Sequence, residues 1–261
     1  SVVKMKVFKE LYQYRELLKT NVQKEIRGKY KGSFLGVLWS FLNPLLMVLV
    51  YALVFPYIMR TNVDNYLVYL ITGVIPWNFF TTCITTGCNC VWINGGIIKK
   101  VYFPREILPI SVVAAGLINF LISCIIILLF VLFGGIGFSI QLLWLPLIAI
   151  IQSALSLGLL FILSAINVYV RDIEYLVGFL LNLLFYATPI LYTVDMFPES
   201  IRWVLYLNPM TTIIESYRNV FYYQQSPALT SLMIVFAVSF MILIIGYLIF
   251  KKLERGFAEE V

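Results

Sequence analysis

Residues Ile107 to Val170 read ILPISVVAAGLINFLISCIIILLFVLFGGIGFSIQLLWLPLIAIIQSALSLGLLFILSAINVYV, and none of them is charged. A membrane-spanning helix needs about 20 mostly apolar residues, so this stretch is long enough for two spans. The run Gly134-Gly135-Ile136-Gly137 divides it near the middle and predicts a tight reversal between them. Four further stretches are also free of charge: Gly32 to Met59, Asn65 to Ile98, Tyr175 to Val194 and Asn219 to Phe250. One span in each gives an all-α integral membrane protein of six spans. A soluble chain with 61% hydrophobic residues in such blocks could not enclose them in one core.

Charge placement sets the expected orientation. Of the 19 basic residues, all but Arg60, Arg202 and Arg218 fall on one side when the spans are read alternately in and out. By the positive-inside rule that side is cytoplasmic, and both termini lie there. Arg60, Arg202 and Arg218 are expected outside, balanced by Asp64, Asp195, Glu199 and Glu215. A seventh span over Ile201 to Phe221 is not expected, because it would place Arg202, Glu215 and Arg218 at membrane depth. The net charge of +6 is then a membrane-face charge turned towards anionic lipids, and no nucleic-acid partner is implied.

Composition excludes several chemistries. The chain has no His, which removes His-based acid–base catalysis, Ser/His triads and His-containing zinc sites. Cys83, Cys88, Cys90 and Cys124 lie in or at the ends of spans and read as small buried hydrophobes, so neither metal nor disulfide is expected. No cleavable signal sequence is expected in the basic leader. No Gly-x-x-x-x-Gly-Lys-[Ser/Thr] phosphate loop occurs, since Gly28-Lys29 is followed by Tyr30, and any ATP must be bound by another subunit.

Residues 1–31 form a distinct leader. Phe8, Leu11, Tyr14, Leu18, Val22 and Ile26 recur at helical spacing among Lys4, Lys9, Arg15, Lys19, Lys24, Arg27, Lys29 and Lys31. The pattern predicts an amphipathic helix in the cytoplasmic headgroup plane. Residues 32–250 form the spanning domain and 251–261 a cytoplasmic tail. Within the domain, 95–106 is a cytoplasmic element mixing exposed apolar and basic residues, suited to docking a protein. Residues 198–221 read as two short helices broken at Asn208-Pro209, which re-enter the outer leaflet.

Polar residues inside the spans concentrate in spans one, two and five: Ser40 and Asn43, then Thr72, Asn78, Thr81, Thr82, Thr85, Thr86 and Asn89, then Asn182, Tyr186 and Thr188. Aromatic residues cluster near them, including Trp39, Tyr51, Phe55, Trp77, Phe185 and Tyr186. An aromatic ring near a span end often serves only as an interfacial anchor. The functional alternative is a conduit with aromatic faces and hydroxyls, suited to sugars, with Asn43, Tyr51, Phe55, Asn182, Phe185 and Tyr186 as candidate path residues. No carboxylate or Lys within a span suggests an ion relay.

The run from Ile26-Arg27-Gly28-Lys29-Tyr30-Lys31-Gly32-Ser33-Phe34-Leu35-Gly36 through Trp39-Ser40-Phe41-Leu42-Asn43-Pro44-Leu45 resembles the approach to the first span of type-2 ABC exporter permeases for O-antigen and wall teichoic acid. Lys100 to Glu106, Asn167 to Ile173, Ala187 to Tyr192 and Tyr206 to Met210 are similar to that family in the same order. The resemblance implies a homodimeric permease subunit without ATPase activity of its own. Two cytoplasmic ATPase subunits would bind ATP and Mg, and a lipid-linked glycan would pass between spans one and five of the two copies. It implies a bacterial inner-membrane location, ATPase coupling through Ile98, Lys99, Lys100, Val101, Tyr102, Phe103 and Arg105, and an external gate at Trp203, Asn208 and Pro209. A small-drug or lipid exporter of the same fold is the main alternative. A membrane-embedded polyprenyl-sugar transferase is disfavoured because Asp172 and Glu174, beside Arg171, form the only close carboxylate pair near cytoplasmic span ends. A secondary transporter is disfavoured by the absence of repeats and midplane charges.

Overall fold

The computed structural model describes residues 12–28, 34, 36–59 and 63–261, and no strand occurs among them. Helix α1 is Arg15–Gly28, α2 Trp39–Met59, α3 Tyr66–Cys88, and the short α4 and α5 are Cys90–Ile93 and Gly95–Ile98. Then follow α6 Ile107–Phe133, α7 Leu145–Tyr169, α8 Asp172–Ala187, α9 Glu199–Leu205, α10 Pro209–Phe221, α11 Leu229–Leu253 and α12 Phe257–Glu260.

The glycine break behaves as the sequence predicts. Helix α6 ends at Phe133, and Gly135 and Gly137 take φ values of +74° and +81°, a region costly for residues with a Cβ. Asn65 donates to the Gly134 carbonyl at 3.0 Å, and Gln224 donates to Ile136 and Gly137 carbonyls at 2.7 and 3.0 Å. The reversal is thus tied to the loops at that end of the bundle.

Among the described residues four helices are long and apolar enough to cross a membrane: α3, α6, α7 with its preceding turn, and α11 with the residues that follow it. Of the two other predicted spans, α2 has 21 residues and is interrupted by two prolines, and α8 has only 16. The reason for α8 is local, because Pro189 has no N–H to continue the ladder and disfavours helical conformation at Thr188. Thr188 accordingly turns extended, with ψ 137°.

Helix α3 occupies the centre, with α2, α6, α7, α8 and α10 packed around it. Its apolar window is 78% buried against 22% for α6 and α11, so α3 is enclosed by protein while those two face outward. The most extensive packing joins α7 to α11. A Cβ on Gly246 would stand 2.2 Å from the Gly158 carbonyl oxygen, and one on Gly158 would stand 2.6 Å from the Leu243 nitrogen. Two glycines therefore bring these backbones into direct contact, as small residues do between membrane helices.

The leader helix forms, though its first predicted residues, including Phe8 and Leu11, lie outside the described residues. Tyr14, Leu18, Val22 and Ile26 are half-buried along one face, and α1 packs along α6. Prolines interrupt α2 at Pro44 and Pro56 and α3 at Pro76, each removing one hydrogen bond to the carbonyl four residues earlier.

Candidate functional site

Helix α3 divides its polar residues between two faces. Val74, Trp77, Asn78, Thr81 and Thr85 point to one cavity of about 390 Å³, closed by Pro44, Met47 and Tyr51 of α2 and by Gly178, Leu181, Asn182, Phe185 and Tyr186 of α8. Ile75, Asn78, Phe79, Thr82, Cys83 and Thr86 point to a second cavity of about 450 Å³. Its other walls are Trp39, Asn43 and Pro44 of α2, Lys24, Glu25 and Gly28 of α1, and the Val112–Ser123 side of α6. Pro44 of α2 and Asn78 of α3 line both cavities, so the partition is where these two helices meet.

The first cavity gathers most of the expected path residues. Tyr51 packs edge-on to Phe55 at 5.5 Å and lies 5.9 Å from Phe185; Phe185 meets Tyr186 at 5.2 Å and Trp77 at 6.0 Å. This aromatic chain joins α2, α3 and α8, with Asn78, Thr81 and Asn182 as polar neighbours. Asn182 and Tyr186 are exposed, as is most of α8. Two differ: Phe55 packs on Tyr51 without lining the cavity, and Asn43 lines the second cavity, not the first. Trp77, Asn78, Thr81 and Thr85 were not among the expected path residues. Their spacing of three and four along one span carried the signal.

The segment expected to form the external gate folds as two helices. Asn208 accepts from the Met210 N–H at 3.0 Å and Pro209 occupies the first turn of α10. Trp203 is exposed on α9, and Arg202 pairs with Asp195 at 3.4 Å. Helix α10 is almost wholly buried against α3, α7 and α11, and Arg218 is enclosed completely. Of the acids expected to balance it, Glu215 is the one it meets, inside the bundle. Arg218 donates through Nη1 to the Pro189 carbonyl and, at 3.1 Å, to Glu215; through Nη2 it donates to the Ile190 carbonyl at 2.6 Å. Its guanidinium carbon stands 3.7 Å from the centre of the Tyr69 ring. Tyr66 and Tyr69 donate to the next two carbonyls, Leu191 and Tyr192, at 2.6 and 2.8 Å.

At the other end of the bundle, segment 95–106 is anchored from three directions. Glu106 is fully buried and takes Lys251 at 2.9 Å, while Lys251 also reaches Glu254 at 3.1 Å. Arg105 donates to the Glu254 carbonyl, Val261 covers Gly95, and Arg171 lies 3.4 Å above the Trp92 ring. Lys24 of α1 donates to Asn94 at 3.1 Å. Burial pushes the Glu25 carboxyl above the usual carboxylate range, against the pull of Lys24. Lys99, Lys100, Val101 and Tyr102 are exposed, Arg105 is half-buried, and Ile98 and Phe103 turn into this chain's own core. Phe103 therefore backs the exposed surface and does not extend from it.

All four cysteines are free and buried, and among the described residues no group of His, Cys, Asp or Glu could hold a metal. Acidic pairs near the span ends are structural in placement: Asp172 and Glu174 occupy the first turn of α8, where carboxylates suit the helix dipole.

The profile of the ABC-2 type transporter family matches residues 16–222. The chain is 39% identical over 259 residues to the O-antigen export system permease protein RfbA of Myxococcus xanthus, covering 98% of this chain and all of that one. It is 37% identical over 245 residues to a protein of the same name from Klebsiella pneumoniae, covering 94% of each. More distantly, it is 27% identical to the polysialic acid transport protein KpsM of Escherichia coli over 74% of this chain and 76% of that one. Helical architecture, apolar spans and near full-length similarity agree: the chain belongs to the ABC-2 type transporter membrane family.

Proposed function

We propose that this chain is the permease subunit of an ATP-driven exporter that moves a lipid-linked polysaccharide of O-antigen type across the bacterial inner membrane. The observation that carries this reading is the aromatic and amide-lined cavity between α2, α3 and α8, in a chain similar over nearly its whole length to named O-antigen export permeases. Aromatic rings offer apolar faces to sugar C–H groups without fixing a register, while Asn and Thr replace water hydrogen bonds.

Six spans remain the arrangement that accounts for the charge pattern, with α8 as the short one. At 1.5 Å per residue α8 is about 24 Å long, less than a hydrocarbon core of about 30 Å. The non-helical residues after it are tolerable at that depth because protein donors satisfy their carbonyls. Exposed apolar faces on α2 (Leu49, Val50, Leu53) and α8 (Leu176, Phe179, Leu183) flank the path cavity. A second copy covering them would close the conduit as a symmetric dimer. Lys99, Lys100, Val101 and Tyr102 would meet a separate ATPase subunit, which holds ATP and Mg, on the same face as both termini. Helices α9 and α10, with Trp203, Asn208 and Pro209, would form the external gate.

The test is reconstitution with the cognate ATPase subunit. The permease alone should hydrolyse no ATP, and the complex should carry lipid-linked glycan into vesicles with hydrolysis stimulated by that glycan. Stimulation by small amphiphilic drugs and not by lipid-linked glycan would replace this reading with a small-molecule exporter.

A further inference from the structure

We propose that Arg218 is a positioning residue that fastens gate helix α10 to the broken end of α8, so that the external gate and the outer end of the path wall move as one body. The inference rests on reading 198–221 as the gate. It begins from an anomaly, a fully buried guanidinium in a bundle whose spans are otherwise free of charge. Charged groups in such surroundings are costly, and those present usually serve function.

The end of α8 supplies the need. Beyond Ala187 the chain leaves the helix, and the carbonyls of residues 189–192 have no helical partners. All four accept hydrogen bonds from side chains: the first two from Arg218, the last two from Tyr66 and Tyr69. Asn208, at the start of α10, adds a bond from its amide to the Thr188 hydroxyl at 2.8 Å. Helix α10 therefore grips the break at both of its own ends. An Arg is suited to this because its planar fork can serve two successive carbonyls at once, whereas a Lys is a point donor. Space is prepared for it, since a Cβ on Gly73 would stand 2.8 Å from Nη2. Glu215 compensates the charge and the Tyr69 ring receives its face. The Nε–H has no partner, so the group is oriented by the carbonyls and not by a fully satisfied ion-pair cage. Tilting α8 while α10 stays fixed would strand two buried carbonyls and the guanidinium together; moving both keeps those bonds, with Tyr66 and Tyr69 of α3 following the break to keep theirs.

The test uses the complete transporter with its ATPase subunit. Thr188→Cys and Asn208→Cys are introduced with the four native cysteines replaced by Ala, and the pair is bridged by a short thiol cross-linker. The bridged form should export within twofold of the same variant left reduced, because the two positions never separate. A tenfold loss on bridging would show that gate and path wall part during transport and would overturn the proposal. Arg218→Met should lower export per ATP hydrolysed by at least tenfold, with Arg218→Lys restoring only part of it and bridging of positions 188 and 208 restoring most. Unchanged coupling in Arg218→Met would also overturn it. The bridging comparison keeps Arg218 and decides the matter even where Arg218→Met does not assemble. Absence of glycan export by the unaltered transporter would fault the functional reading and not the fastening.

Discussion

The α7–α11 pair and the α2–α8 pair are built on opposite plans. In the first, Gly158 and Gly246 let two long helices touch through their backbones, with no room for an added methyl group. In the second, α2 and the short α8 meet through Tyr51 and Phe185 rings 5.9 Å apart beside a cavity of about 390 Å³, and much of their apolar surface is uncovered. Dense backbone packing has one solution, whereas ring contacts across a cavity can be remade at small cost. The bundle thus pairs a tightly packed half with a loosely packed one, and the loose half is where the proposed path residues gather.

The sharpest way to break this contrast is Gly246→Val. Its side chain would collide with the Gly158 carbonyl, and neither backbone can yield without parting the helices. We expect a loss of about 3 kcal/mol or more, seen as aggregation or a much lower unfolding temperature in detergent. A variant that kept its thermal transition would mean that the pair is looser than its geometry.

A smaller effect is expected from Tyr186→Ala. It removes one ring pair of about 0.5–1.5 kcal/mol from an exposed side chain, so the single chain should remain folded. Export should nevertheless fall, and light scattering should show weaker self-association if a second copy covers α8. Unaltered export and association together would move α8 out of the path wall.

The smallest effect asks to which half α1 belongs. Burial raises the Glu25 carboxyl, so the docked helix binds protons more readily than the free one. Its docking should therefore be strongest below the ordinary Glu range and weaken as pH rises through the raised value. Limited proteolysis of the leader between about pH 4 and 7 should show that trend, and Glu25→Gln should remove it. The same trend persisting in Glu25→Gln would assign the pH effect elsewhere.

Much of this was legible in the sequence, for physical reasons that also explain the rest. The Gly134–Gly137 reversal was readable because positive φ values demand glycine. The helix pair before and after Asn208 was readable because Asn followed by Pro is a strong helix start. Asn43 was grouped with Tyr51 and Asn182, and it lines the other cavity, because proximity along a span does not say which face a side chain takes. Phe103 looked like a docking anchor because it sits among exposed basic residues, yet backbone direction turns it inward. Arg218 was assigned to the outer side by alternating the spans, and that says nothing of its burial. Only the fold reveals that four non-helical carbonyls beyond the end of α8 create a polar niche inside the bundle.

Pro44 carries a mechanical consequence. Its missing hydrogen bond leaves α2 with a soft point in the wall shared by the two cavities, and Pro56 provides another a few turns on. The segment between them carries Met47 and Tyr51 on the wall of the chamber beside α8, whereas Trp39 and Asn43, on the other chamber, precede it. Bending at Pro44 would therefore swing one chamber's wall while the other's stays with the start of α2, like a door on a fixed post.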